Sequence, residues 1–410
     1  MKNNCLYIVL AMILYLGLYA CGDADVNDPR GSTAIPAQVT NVRVKNLGGS
    51  AVIFYDRPND KNLKYIQAAY TLEDETERTF NASFYTDSVL VNGFPEAGEY
   101  EVKLYSVSYG ETKSEPVTVL IHPTTPAYKV VLERGSIEAT FGGLRFTSVD
   151  EAASDLSIIF LREDPDGWQE VGAYYTNKMV NLQHVIRKQQ PVETRYAAYA
   201  GDRWGHKSDT IYATIIPWEE IEIPKGGWRA YRLPDDNYTL HSWSGSDVTL
   251  EKMWDGSVTN WNALFHSKTT DPIPQWFTFH LGKPYVFSRL VMNMRWDGGT
   301  NYTNFFTATS GMPKTFEVWA TNEPDPLGGF DSWTRLESFN VLRADGTMRT
   351  HEEAARTQAD LDMIRPGHNF DFPAGLPPYQ YVRINILSTY GVNSVQIEEL
   401  TFFGQNAQAE

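Results

Sequence analysis

The 410-residue chain has only two cysteines, Cys5 and Cys21, and both lie within its first 21 residues. No disulfide framework, zinc finger or thiol enzyme can be built downstream of them. Positive charge is also scarce. Thirty-five Lys and Arg stand against 51 Asp and Glu, a formal charge of −16. A surface of that sign repels phosphate, which argues against nucleic acid and anionic membrane surfaces and suits neutral ligands. After the N-terminus there is no long apolar run. The one present, Leu6 to Leu18, has about 13 residues and is too short to span a bilayer comfortably. Signatures of chemistry are missing as well. His351-Glu352-Glu353-Ala354-Ala355 has no second His, so it is not a zinc-binding H-E-x-x-H. No G-x-S-x-G occurs, and the eight His are scattered without ligand spacing. Glu219-Glu220 and Glu398-Glu399 are neighbours that point to opposite faces of a strand, so neither pair can converge on a glycosidic bond. These absences together predict a chain that is not an enzyme.

Aromatic residues are plentiful, at 13%, with 23 Tyr and 11 Trp. Thin cores between short strands need such side chains, so most of them read as packing. At the N-terminus, Lys2 and the apolar run lead to Leu18-Tyr19-Ala20-Cys21. This resembles a bacterial lipobox, which implies a signal peptide over residues 1–20 and lipidation of Cys21. The alternative is a plain secretory signal. Residues 21–34, with Asp23, Asp25, Asp28, Pro29 and Gly31, read as a flexible tether. An acidic run after the lipidated Cys is similar to the surface-export signal of Sus-like (starch-utilisation-system-like) lipoproteins. That resemblance implies a lipid-anchored protein of the outer membrane, on the cell surface.

Residues 35–123 carry strand-like stretches at 36–44, 51–55, 63–70, 88–91 and 100–107, separated by turns. Strands and turns at spacings of about 8 to 12 residues predict a β-sandwich. The pattern resembles fibronectin type III, and it holds no cluster of His, Asp or Glu. Pro123 to Pro126 reads as a linker. A second sandwich, immunoglobulin-like, is expected over residues 127–218, with strands at 136–146, 156–161, 169–175 and 194–199. Its polar run Asp202-Arg203-Trp204-Gly205-His206-Lys207-Ser208-Asp209 has two readings. One is a binding loop; the other is a hairpin in which Trp204 covers the core and Arg203 pairs with an Asp. This module resembles one that recurs upstream of discoidin-type domains in Sus-like lipoproteins. Pro217 to Gly227 reads as a second linker.

The most informative stretches are LEKMWDGSVTNWNALFHS with PQWFTFHLGKPYVFSRLVMNMRW, over Leu250 to Trp296, and YVRINILSTYGVNSVQIEELTFFG, over Tyr381 to Gly404. Trp276 to Leu281 alternates as a strand, and Gly282-Lys283-Pro284 is expected to end it. Val286 to Met294, Phe316 to Ala320 and Tyr381 to Leu387 come next as further strands. A W-D-G turn, a W-x-x-x-x-L-G strand, a P-K-x-F-E-V strand, a Y-V-R-I strand and a closing E-L-x-F-F-G occur in that order. Over residues 228–404 they resemble the discoidin (coagulation-factor five/eight type C) family, whose sugar-binding members are the family 32 carbohydrate-binding modules. The implied fold is an all-β chain: two fibronectin- or immunoglobulin-like sandwiches, then an eight-stranded jelly roll whose loops bind.

The resemblance carries over two sites. The first is a structural calcium, with side chains from Asp255 and Glu399 and carbonyls from Lys252, Ser257 and Glu398, since calcium takes six or more oxygens. Asp255 could instead simply favour the turn before Gly256, with Glu399 a rim charge. The second is a sugar site of His266 and Arg295, joined by the aromatic loop of Trp296 and Tyr302 and by Tyr390. Sugars offer C–H faces to rings and hydroxyl pairs to a bidentate donor such as Arg. Arg295 could equally stack on a Trp as a structural pair. Trp254, Trp261, Trp276 and Trp319 read as core. The function implied is non-catalytic capture of a polysaccharide or oligosaccharide beside an uptake complex. The alternative is a structural lipoprotein whose discoidin domain docks a partner protein.

Overall fold

The computed structural model describes residues 34–73, 75–242, 247–258, 263–295 and 305–407. The predicted signal peptide and Cys21, together with Trp261, Trp296 and Tyr302, lie outside them. Two compact units result: Met1–Glu138 with Arg145–His184 and Thr194–Thr214, and Ala139–Leu144 with Val185–Glu193 and Ile215–Glu410. Almost all the regular structure is antiparallel strand, as the alternating patterns predict.

The N-terminal module has strands β1 (Thr40–Leu47), β2 (Ser50–Asp56), β3 (Leu63–Thr71), β4 (Glu77–Ser83), β5 (Ser88–Asn92), β6 (Tyr100–Ser108) and β7 (Val117–Ile121). They form one sheet ordered β1-β2-β5 and another ordered β4-β3-β6-β7. In β2 every second residue, Ala51, Ile53 and Tyr55, is buried. Ile66, Val91, Val102 and Leu104 join them in one core. The period-2 alternation of a half-buried strand produces this directly. The sequence reading missed β4 and β7.

The stretch read as a linker passes into a helix, α1 (Ala127–Glu133). Then come β8 (Ser136–Thr140), β9 (Gly143–Val149), β10 (Ser157–Asp164), β11 (Gly167–Tyr175), β12 (Asn181–Ile186), β13 (Thr194–Gly201) and β14 (Ile211–Ile215). Their sheets are ordered β12-β9-β8 and β11-β10-β13-β14, which repeats the three-plus-four order of the first module. The Asp202–Asp209 run is a turn built on Asp202, which accepts from the Trp204 and His206 N–H groups at 2.8 and 3.1 Å. Trp204 lies under the Arg78 guanidinium, 4.3 Å from the ring centre, and edge-on to Phe80. Trp204 is thus half-buried against residues of the first module rather than over the core of its own. Arg203 reaches Asn92 rather than an Asp.

The C-terminal domain holds β15 (Ile221–Glu222), β16 (Arg229–Ala230), β17 (Phe265–His266), β18 (Gln275–Met294), β19 (Pro313–Thr321), β20 (Thr334–Asn340), a helix α2 (Gln358–Ile364), β21 (His368–Asp371), β22 (Tyr379–Thr389) and β23 (Gln396–Asn406). The main path runs β15-β23-β18-β22-β19-β20, with β16 and β21 paired to β18 and β17 paired to β23. Two sequence-based expectations fail in this domain. Gly282-Lys283-Pro284 does not end a strand. It forms a bulge inside β18, between His280 and Tyr285. Gly282 sits at φ +94°, and a Cβ there would come within 3.0 Å of the Gly227 Cα, so only glycine fits. Before the bulge β18 pairs with β22; after it, β22 keeps only the Tyr285–Tyr379 pair and the strand runs on against β23 and β21. The second linker is also partly sheet: Ile221 pairs with Gly404, and the Ile223 N–H donates to the Phe402 carbonyl.

Phe277, Phe279, Phe287, Leu290, Phe316, Val318, Ile384, Ile386, Ile397 and Phe402 fill the core. Trp254 belongs to it, packed against Trp228 and Phe279. Trp276 and Trp319 do not; both are half-buried and flank Phe330. Two buried cations pin the surrounding loops. Arg383 donates to Thr278, to both Asp235 carboxylate oxygens, to Asp236 and to the Gly329 carbonyl. Arg343 holds Asp360, which also closes the capping box of α2 with Thr357.

Candidate functional site

His266 ends the short strand β17, where it faces Gln396 across the ladder. Gln396 Nε2 lies 2.9 Å from His266 Nε2. Burial pushes the His266 imidazole down to about 3, and His241 and Arg295 push in the same direction. The ring is therefore neutral at ordinary pH, so Nε2 accepts from the Gln396 amide. His241 stacks on it with ring centres 4.5 Å apart and 11° between planes. Arg295 comes directly after the last residue of β18 and reaches Gln396 Oε1 at 3.5 Å. Gln396 thus joins His266 to Arg295. The two residues that the motif resemblance singled out do meet.

The expected exposure is not observed. His266 is 2% exposed and belongs to a strand rather than a loop tip. Tyr390 is likewise inside. Its ring packs edge-on against Phe306, and its hydroxyl donates to the Val341 carbonyl at 2.6 Å. The Ser388–Asn393 segment turns Tyr390 back into the core, an orientation that sequence polarity does not reveal. His241 and Gln396 were missed by sequence reasoning. Gln396 is one polar residue in an alternating strand, and only the β17–β23 register gives it a partner. His266 and Gln396 are buried and bonded to each other, and Arg295 is half-buried, so of the three the guanidinium is the group within reach of a ligand's hydroxyl pair.

The residues of the expected calcium site do not fit the ion. Asp255 folds back on its own turn. It accepts from the Ser257 N–H at 2.9 Å and from Lys252 Nζ at 3.2 Å, and Lys252 also reaches Asp247. Gly256 takes φ +82°, so the turn reading accounts for Asp-Gly. Glu399 is not a rim charge, for it is 2% exposed. Both of its oxygens accept from the Gly256 N–H at 3.2 Å, and Lys225 Nζ bonds to one of them. Lys225 also donates to Thr401 Oγ1 at 2.8 Å. Burial raises the Glu399 carboxyl to about 7, against the pull of Lys225 and Gly256. Glu398 is fully buried. Where calcium would need oxygens alone, two ammonium groups and two N–H donors are already aimed at the carboxylates. Among the described residues, no group of three His, Cys, Asp or Glu side chains is arranged to hold a metal. Nor is any described helix long and apolar enough to cross a membrane.

The chain matches three families described only as domains of unknown function: DUF4959 over residues 36–123, DUF5126 over 124–226 and DUF5000 over 254–404. Among solved structures it is similar to a SusE-like protein, at 24% identity, covering 68% of this chain and 99% of that one, with a TM-score of 0.40. It is similar to the family 32 carbohydrate-binding module of Clostridium perfringens NanJ, solved with galactose, at 19% identity over 45% of this chain and 98% of that one, TM-score 0.29. It is also similar to a two-domain fibronectin type III segment of chicken tenascin, at 12% identity over 44% and 99% of the two chains, TM-score 0.21. The comparison with curated proteins finds no match.

Proposed function

We propose that this chain is a non-catalytic glycan-binding lipoprotein of the cell surface that works in polysaccharide capture and uptake. The observation that carries the reading is the meeting of His266 and Arg295 on Gln396 at one end of the C-terminal sandwich. The discoidin-like order of motifs supplies the ligand class, a neutral sugar. The net charge of −16 fits a ligand without phosphate. The two N-terminal sandwiches act as spacers between anchor and ligand. A glycan array on the chain beginning at Gly22 tests the reading. With any glycan that binds, Arg295→Ala weakens affinity about tenfold or more, as the loss of a charge-assisted hydrogen bond of roughly 1.5–3 kcal/mol implies, and leaves stability largely intact. Lost stability with unchanged affinity per folded molecule would assign Arg295 to a structural role instead.

The second reading, a lipoprotein that docks a partner protein, is favoured by a specific observation. His266 and Tyr390, two of the five expected sugar contacts, are buried. An array without a single bound glycan would select it. In either reading Cys21 takes the lipid. Incorporation of labelled palmitate is lost in Cys21→Ala; incorporation equal to wild type rejects the anchor.

A further inference from the structure

We propose that Lys225 replaces a metal ion in the C-terminal domain, so that its ammonium is the permanent cation that Glu399 requires. Three separate segments meet at this carboxylate. Lys225 comes from the short helical turn Lys225–Gly227, Gly256 from the turn after Leu250–Trp254, and Glu399 and Thr401 from β23. Glu399 is 2% exposed and cannot keep its charge there without a partner. An ion would neutralise it and tie the Asp-Gly turn to the last strand. Here the two tasks are divided. The Gly256 N–H ties the turn to both carboxylate oxygens. Lys225 Nζ, itself held by Thr401 Oγ1, supplies the positive charge. The flanking Asp255 is neutralised in the same manner by Lys252, which also bonds Asp247. Asp255 and Glu399 therefore each face an ammonium and a backbone N–H, and a divalent ion could enter only by expelling Lys225. The lysine is delivered by the stretch that the sequence pattern marks as a linker. Pairing of β15 with β23 and burial of Ile223 fix it in register.

The test is thermal unfolding of the full chain in calcium and in chelator, with variants at 225 and 399. The wild type melts at the same temperature in both solutions. Lys225→Met strands the buried carboxylate and lowers the melting temperature by roughly 10 °C, the shift expected when one partner of a buried pair is removed from a domain of this size. Adding Glu399→Gln to Lys225→Met recovers most of that loss, which a purely packing role for the lysine stem would not do. A wild-type melting temperature that falls in chelator or rises with added calcium overturns the proposal, even if Lys225→Met fails to fold. So does a double variant no more stable than Lys225→Met.

Discussion

The N-terminal module and the C-terminal domain both carry surface ion pairs, but among the described residues of the two only the C-terminal domain buries them. In the first module the ion pairs Lys64–Glu111 and Lys103–Glu101 lie on the surface, their side chains about half exposed. The core beneath them is apolar strand packing. In the C-terminal domain Arg383–Asp236 and Arg343–Asp360 are completely or almost completely buried, and Lys225–Glu399 and Arg289–Glu220 nearly so. Water screens the first kind of pair; the second must be satisfied by the fold itself. A module packed on apolar strands alone needs only to be folded. A domain that presents loops must also hold them in place, and buried charges with directed hydrogen bonds do that. Arg383, together with Trp276 and Thr278, joins the Asp235–Asp236 segment and the Gly329 loop to β18.

The widest test of this contrast sets Arg383→Ala against Lys103→Ala. Arg383→Ala leaves Asp235 and Asp236 without their cation and costs about 3–5 kcal/mol, read from the C-terminal transition in denaturant. Lys103→Ala, at the surface pair, changes stability by no more than about 0.5 kcal/mol. Equal effects would erase the distinction between the regions.

A smaller effect sharpens it. Burial pushes His368 down to about 4, although the Leu342 carbonyl favours its charged form, and His266 is held near 3. Both are neutral in the fold, whereas the unfolded chain takes up these protons near pH 6.5. From about pH 6.5 down to 4 the unfolded state therefore binds more protons, and stability falls with pH by up to about 1.4 kcal/mol per unit for each histidine. Asp360 acts at lower pH. Burial alone would raise its carboxyl, but Arg343 and the Thr357 and Ala344 N–H groups hold it below the usual range, so its contribution is lost under stronger acid. Glu399 and Asp236, which burial raises to about 7 and about 6, act in the opposite sense, because the folded state takes up their protons first and gains stability as the pH falls. The histidine effect is therefore read as a difference: between pH 7 and pH 4.5 the C-terminal transition of the wild type should lose stability relative to that of His368→Gln. A difference between the two proteins that does not change with pH over this interval would show that His368 is not confined to the neutral form.

The strands that alternate cleanly were legible in the sequence: Phe316 to Ala320 lies within β19, and Tyr381 to Leu387 within β22. The features that were not legible depend on partners distant in the chain. Gly282-Lys283-Pro284 has the composition of a stop, yet the strand resumes because β23 and β21 pair with the residues beyond the bulge. Ile221-Glu222-Ile223 alternates like a strand but lies among prolines and glycines that marked it as a linker. His266 and Arg295 were brought together by motif order, whereas Gln396, which joins them, acquires meaning only through register. The fate of Glu399 was hidden for the same reason, since Lys225 is far from it in sequence.

The bulge in β18 also sets the order in which the C-terminal domain can form. Trp276 finds Asn385, and Leu290 finds Phe402, in each case a partner roughly 110 residues later along the chain, a separation that makes loop closure costly and folding slow. A ribosome delivering this domain exposes β18, with its run of aromatic and aliphatic side chains, well before either partner strand exists. Until they arrive β18 has only the two residues of β16 to pair with, so during synthesis the strand that later unites the sheet is a long segment open to mispairing with another chain.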